Sequence, residues 1–156
     1  MDNLKYLEHV VELGKVQAAT TPEEMSGAFD AFNGFLGLYY DLAKMELQKA
    51  GIDTPPIRNF AIDKALERID ARLDCADFTI PALIRMLREH RGTRLNEEQA
   101  QKIEQSLIHF KYWLDEPGDV HACFFTENHQ ILYHSAEYLV GQMYPDVVFP
   151  NTVSYT

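Results

Sequence analysis

Cysteine is scarce in this sequence. Only Cys75 and Cys123 are present, far apart and with no CxxC pair. That excludes a disulfide framework, predicts free buried thiols and speaks against a zinc site. Basic residues are also few: 14 Lys and Arg face 24 Asp and Glu, for a formal charge of -10. Nucleic-acid binding needs a basic surface that displaces counterions, so this balance excludes it as a general activity. No apolar run approaches the roughly 18 residues a membrane span requires. The opening "MDNLKYLEHVVELGK" mixes charges into its apolar positions and is no secretory signal. No membrane partner follows from the sequence, and a soluble, cytoplasmic protein is the expectation.

What is present is apolar residues at helical spacing. The 156 residues are 46% apolar, enough for a compact domain with a real core. Six amphipathic segments are predicted, and no strand pattern competes with them. The first covers roughly 2 to 18, with Leu4, Leu7, Val11, Gly14 and Ala18 on one face. The second starts at Thr21-Pro22-Glu23-Glu24 and carries Met25, Phe29, Phe32, Leu36, Tyr40 or Tyr39, Ala43 and Leu47. Pro55 and Pro56 break the pattern. The third aligns Ile62, Leu66, Ile69 and Leu73. The fourth starts between Asp77 and Pro81 and aligns Ile80, Leu83, Ile84 and Leu87. The fifth follows Asn96 and stacks Ala100, Ile103, Leu107, Phe110 and Leu114. The sixth runs from Thr126 to about Tyr144, and residues 145–156 read as an irregular tail. The expected fold is all-α, an array of antiparallel helical hairpins made from about six helices in one domain. A closed bundle, a solenoid segment or part of an α/α toroid all fit that rhythm.

Chemistry-bearing residues concentrate at the start of the sixth helix, in "FFTENHQILYHSAEYLVGQMYPD". With Thr126 as N-cap, Glu127, Asn128 and His129 fill the first turn, where the helix dipole favours Glu127. His129 falls on the apolar stripe of Leu132, Ala136, Leu139, Val140 and Met143, with Tyr133 and Glu137 along its flank. His134 points away. His129 and Glu137 are two turns apart, about 12 Å by helical rise, too far to share one small ion, so no metal or other cofactor is expected. His129 can be a core-edge histidine tied to a backbone carbonyl, or the base of a reacting site.

The residue types suit β-elimination from a uronic acid. An Asn amide hydrogen-bonds the carboxylate beside the reacting carbon, a neutral His removes the proton, and a Tyr assists. Asn128, His129 and Tyr133 are the candidate catalytic residues. Trp113, Glu127 and Glu137 are candidates for substrate binding. A glycosidase would need two carboxylates roughly 5–10 Å apart, which Glu127 and Glu137 do not supply without Asp115 or Glu116. "RMLREHRGTR" gathers Arg85, Arg88, Arg91 and Arg94, either as cations at a helix end or as a local anion clamp.

"ENH" at the mouth of a helix resembles the Asn-His element of α/α-toroid polysaccharide lyases, such as alginate lyases. The longer "WLDEPGDVHACFFTENHQILYHSAEYLVGQMYPD", residues 113–146, looks like a segment of large bacterial proteins of predicted toroid type. The resemblance implies a carbohydrate-active, lyase-like protein taking a polysaccharide or oligosaccharide. A toroid needs more helices than this chain supplies. The resemblance therefore implies an N-terminal fragment, whose partner would include the remainder of its own chain. The alternative is a non-catalytic helical module for protein–protein interaction or assembly.

Overall fold

The computed structural model describes residues 3–18, 34–57, 59–119 and 121–150. Six α-helices occur there: α1 (Asn3–Ala18), α2 (Gly34–Lys49), α3 (Asn59–Asp70), α4 (Ile80–His90), α5 (Glu97–His109) and α6 (Glu127–Met143), with a 3-10 turn at Ala76–Phe78. The all-α expectation holds among the described residues, where the only extended pairings are two isolated bridges. The expected start of the second helix, from Thr21 through Phe32, lies outside the described residues. No helix among those described is long and apolar enough to cross a membrane.

The chain divides into two compact units, residues 1–65 and 66–156. In the first, α1 packs on α2 through Val11, Ala43 and Leu47, with Leu7, Val10 and Ile52 around them. Leu4, expected on the inner face, is exposed. Helix α2 ends in a Schellman motif: the Ile52 amide bonds the Leu47 carbonyl and the Gly51 amide bonds that of Gln48. Gly51 takes the left-handed position there, with φ 79°.

The second unit is built on α4, which packs against α5, α6 and the 3-10 turn. Its Ile80, Leu83, Ile84 and Leu87 are all buried, as their spacing predicts. Burial of such a side chain stabilises by about 1.5–3 kcal/mol. From α5 come Ala100, Ile103 and Leu107, with Phe110 just beyond its end. Asn96 caps α5 by accepting the Gln99 amide hydrogen at 2.9 Å, a bond typically worth about 1 kcal/mol.

Three details differ from the periodic reading. Leu73 and Leu114 lie past the ends of α3 and α5, which stop at Asp70 and His109, and both are exposed. Thr126 precedes α6 as expected, but its side chain makes no capping bond. The buried face of α6 is turned toward Tyr133: His129, Tyr133, Ala136 and Val140 are buried, while Leu132, Leu139 and Met143 are half-buried. An aromatic stack causes that rotation. Tyr133 lies between Phe110 (6.0 Å) and Phe124 (4.7 Å), both near-parallel to its ring.

Candidate active site

Two segments meet beneath the start of α6. The first is the loop that leaves α3. Its end is a second Schellman motif, Leu73 amide to Arg68 carbonyl and Arg72 amide to Ile69 carbonyl. Here Arg72 occupies the left-handed position, φ 53°, where glycine is usual. A left-handed non-glycine residue costs roughly 1–2 kcal/mol, so other contacts must hold the loop. The Arg72 guanidinium donates to the Asp119 carbonyl at 3.1 Å, and the His121 amide donates to the Arg72 carbonyl at 3.1 Å. Arg68 donates through Nε to the Asp74 carbonyl at 2.9 Å. The Cys123 amide donates to Asp74 Oδ1 at 2.9 Å.

That framework yields a prediction. Gly118 has φ 98°, and a Cβ there would overlap the Arg72 guanidinium. Gly118→Ala is expected to destabilise the second unit by about 1–3 kcal/mol through strain and displacement of Arg72. Urea unfolding followed by circular dichroism measures it. A change within about 0.5 kcal/mol of zero would show the two loops to be uncoupled.

The same loop continues into Cys75, again left-handed (φ 63°, ψ 15°), and then into the 3-10 turn that carries Asp77. Asp77 is fully buried. Its Oδ2 lies 2.7 Å from His129 Nδ1 on α6, joining residues 52 apart in sequence. With the carboxylate accepting, Nδ1 carries the hydrogen and Nε2 is the nitrogen left to receive one. Burial pushes the Asp77 carboxyl above the usual carboxylate range, and the hydrogen bond and charge of His129 oppose that push. Phe78 meets the imidazole edge-on at 5.3 Å, and Tyr133 lies roughly parallel to it at 6.5 Å.

The arrangement places the predicted residues unequally. His129 is bonded to a carboxylate rather than to a backbone carbonyl, and 10% of its side chain is exposed. Asn128 and Glu127 are exposed on the same turn. Tyr133 is sealed, and its hydroxyl has no hydrogen-bond partner among the described residues. Burial raises its pKa, reinforced by the charges of Asp77, Asp74, Cys75 and Cys123, so the phenol stays protonated. Trp113 is half-buried, edge-on to Phe124 at 5.5 Å and tilted over His134 at 4.2 Å. Glu137 lies elsewhere. It lines a largely apolar cavity of about 520 Å³ with Tyr112, Tyr138, Gln142 and Phe149.

Other candidates resolve into structure. Arg91 bonds Glu97 and Glu104, both at 2.6 Å, and Arg85 pairs with Glu89. These two cations serve intramolecular pairs rather than an anion clamp. Sequence reasoning missed Asp74, Cys75 and Asp77. The thiol of Cys75 completes a Cys–His–Asp set of residue types, which invites comparison with nucleophilic catalysis. Burial and the charges of Asp74 and Asp77 raise its pKa, the reverse of what an activated nucleophile needs. Comparison with protein-family models, curated proteins and solved structures finds no match.

Proposed function

We propose that the second unit is a proton-transfer site of the polysaccharide-lyase type, acting on a uronate-containing carbohydrate. What supports this is the 2.7 Å bond from the buried Asp77 carboxylate to His129, with the exposed Asn128 one residue away. A buried acceptor on Nδ1 fixes the ring and makes Nε2 the basic nitrogen. Asn128 donates its amide hydrogens to the substrate carboxylate, which lowers the charge built up when the neighbouring C–H bond breaks. His129 takes that proton, and the electron pair forms the carbon–carbon double bond. The glycosidic C–O bond breaks, and the leaving oxygen recovers a proton from the imidazolium. Tyr133, being sealed, assists by packing behind the imidazole rather than by touching the polymer. The cavity beside Glu137, about 12 Å further along the helix, offers Tyr138 and Gln142 as a second sugar contact. The fold that goes with this reading is a partial α/α toroid of antiparallel hairpins.

The test follows the unsaturated product by ultraviolet absorbance, with uronate polymers as substrates and a chelator present. Absorbance is expected to rise, and His129→Gln is expected to lower kcat by about 10²–10⁴-fold. Asn128→Ala should lower kcat more than it raises KM, because its hydrogen bonds strengthen as charge develops. No product from any uronate polymer removes the lyase reading and leaves a non-catalytic helical module.

A further inference from the structure

The surface side of the His129 pair holds a second group of atoms. One carboxylate oxygen of Asp74, the Cys75 sulfur and a ring nitrogen of His129 all lie within 4.8 Å of one another. We infer that Asp74, Cys75 and His129 bind one divalent transition-metal ion, with zinc the best fit. A thiolate, an imidazole and a carboxylate together match the ligand preferences of zinc and leave a fourth position open. Calcium and magnesium prefer all-oxygen sets, so the sulfur disfavours them.

Four further features fit a built site. Asp77 holds Nδ1 of His129, as in the carboxylate–histidine–metal arrangement that orients a ligating imidazole, and the proposal gives the other nitrogen, Nε2, to the ion. The Cys123 amide donates to Asp74 Oδ1 and so holds that carboxylate in place. Cys75 sits in a left-handed conformation, and strained residues of this kind concentrate at ligand clamps. Two buried polar atoms, Asp77 Oδ1 and the Tyr133 hydroxyl, have no hydrogen-bond partner among the described residues. Asp74 is exposed and Cys75 and His129 are each under one-tenth exposed, so an ion enters past Asp74.

Binding breaks the S–H bond of Cys75, releases its proton to solvent and forms the sulfur–metal bond with no change of oxidation state. The inference goes beyond the eliminative reading and stands without it. Nε2 cannot hold a metal ion and receive a proton at once, so zinc would inhibit any turnover that uses His129 as base.

The experiment titrates the full chain, reduced and stripped with chelator, with Zn²⁺ against a competing chromophoric chelator, and with Co²⁺ as the optical probe. One equivalent per chain is expected, with a thiolate-to-cobalt charge-transfer band in the near ultraviolet. Cys75→Ser should abolish the band and weaken Zn²⁺ by at least about tenfold. Asp77→Asn should weaken it by about 10–100-fold while retaining the band. Cys123→Ser should retain both. Asp74→Asn changes an exposed side chain and keeps the test decisive if Cys75→Ser fails to fold; it should weaken Zn²⁺ by at least about tenfold. The proposal is overturned by any one of four results: no saturable uptake, cobalt binding without a thiolate band, a band that survives Cys75→Ser, or unchanged Zn²⁺ affinity in Asp74→Asn.

Discussion

His129→Ala is expected to destabilise the second unit by about 3–5 kcal/mol, measured by urea unfolding in the presence of chelator. The cause lies on the other residue. Asp77 is wholly buried, and Oδ1 already has no partner among the described residues, so losing His129 strips Oδ2 as well. Removing one member of a buried, hydrogen-bonded pair leaves an uncompensated polar or charged group, and that residue dominates the cost. The edge contact to Phe78 and the packing on Tyr133 go with it. Asp77→Ala instead leaves Nδ1 of a largely buried imidazole without its acceptor, for about 1–3 kcal/mol. The double variant should cost less than the sum of the two, by about 1–3 kcal/mol, because neither partner then orphans the other. His129→Gln keeps a donor near Oδ2 and should retain most of the stability, so it is the variant for kinetics. A loss below about 1 kcal/mol in His129→Ala would mean the pair is not buried as described, and the site reading would fall with it. The chelator matters because a bound metal would add its own binding energy to the folded state.

Much of the helix content was legible from spacing because burial follows one face. The i, i+3, i+4 pattern of Ile80, Leu83, Ile84 and Leu87 fits α4, and all four are buried. Asn96 was equally readable, since a cap acts on the chain immediately after it. Helix ends were less so. Leu73 and Leu114 continue the apolar period past turns that end the helices, and periodicity carries no information about such turns. The rotation of α6 was hidden for a different reason. Tyr133 looks amphipathic in isolation, and only Phe110 and Phe124, from other segments, make its face the buried one. The site followed the same rule. Asn128 and His129 share a turn and could be read together. Asp77 is 52 residues from His129 and sat among helix-start acids, where the dipole already accounts for a carboxylate. Its isolation in the stretch "CADFTIP" is the one local signal: an acid flanked by apolar residues must find a partner when the segment is buried.

Alkaline pH should unfold the second unit cooperatively, through its buried tyrosines. Tyr112 is 1% exposed and donates from its hydroxyl to the Leu107 carbonyl at 2.8 Å. Burial raises its pKa, as it does that of Tyr133. Tyr144, which donates to Glu104 at 3.1 Å, is pushed up to about 12 by burial and then by the Glu104 charge. In the unfolded chain each phenol ionises near its ordinary value of about 10. Below that value both states hold the proton, and the contribution of these groups to stability is fully present. Above it the unfolded chain sheds protons that the folded unit retains, so stability falls as pH rises. The loss is about 1.4 kcal/mol per pH unit for each group, ending for Tyr144 near 12. From pH 10 to 11, where the unfolded phenols are between half and almost fully ionised, the three together remove about 3 kcal/mol, a large share of the 5–15 kcal/mol that typically holds a domain folded. The ring NMR signals of Tyr112 and Tyr133 should keep their neutral-phenol positions until the helical circular dichroism signal collapses, and then change with it. Tyr112→Phe forfeits about 1 kcal/mol for the bond to Leu107, yet should flatten the alkaline slope by about a third, because one titrating group is gone. Ionisation of Tyr112 or Tyr133 near pH 10 with the helices intact would show that these hydroxyls reach water. The closed aromatic stack behind His129 could then not be what fixes the imidazole against Asp77.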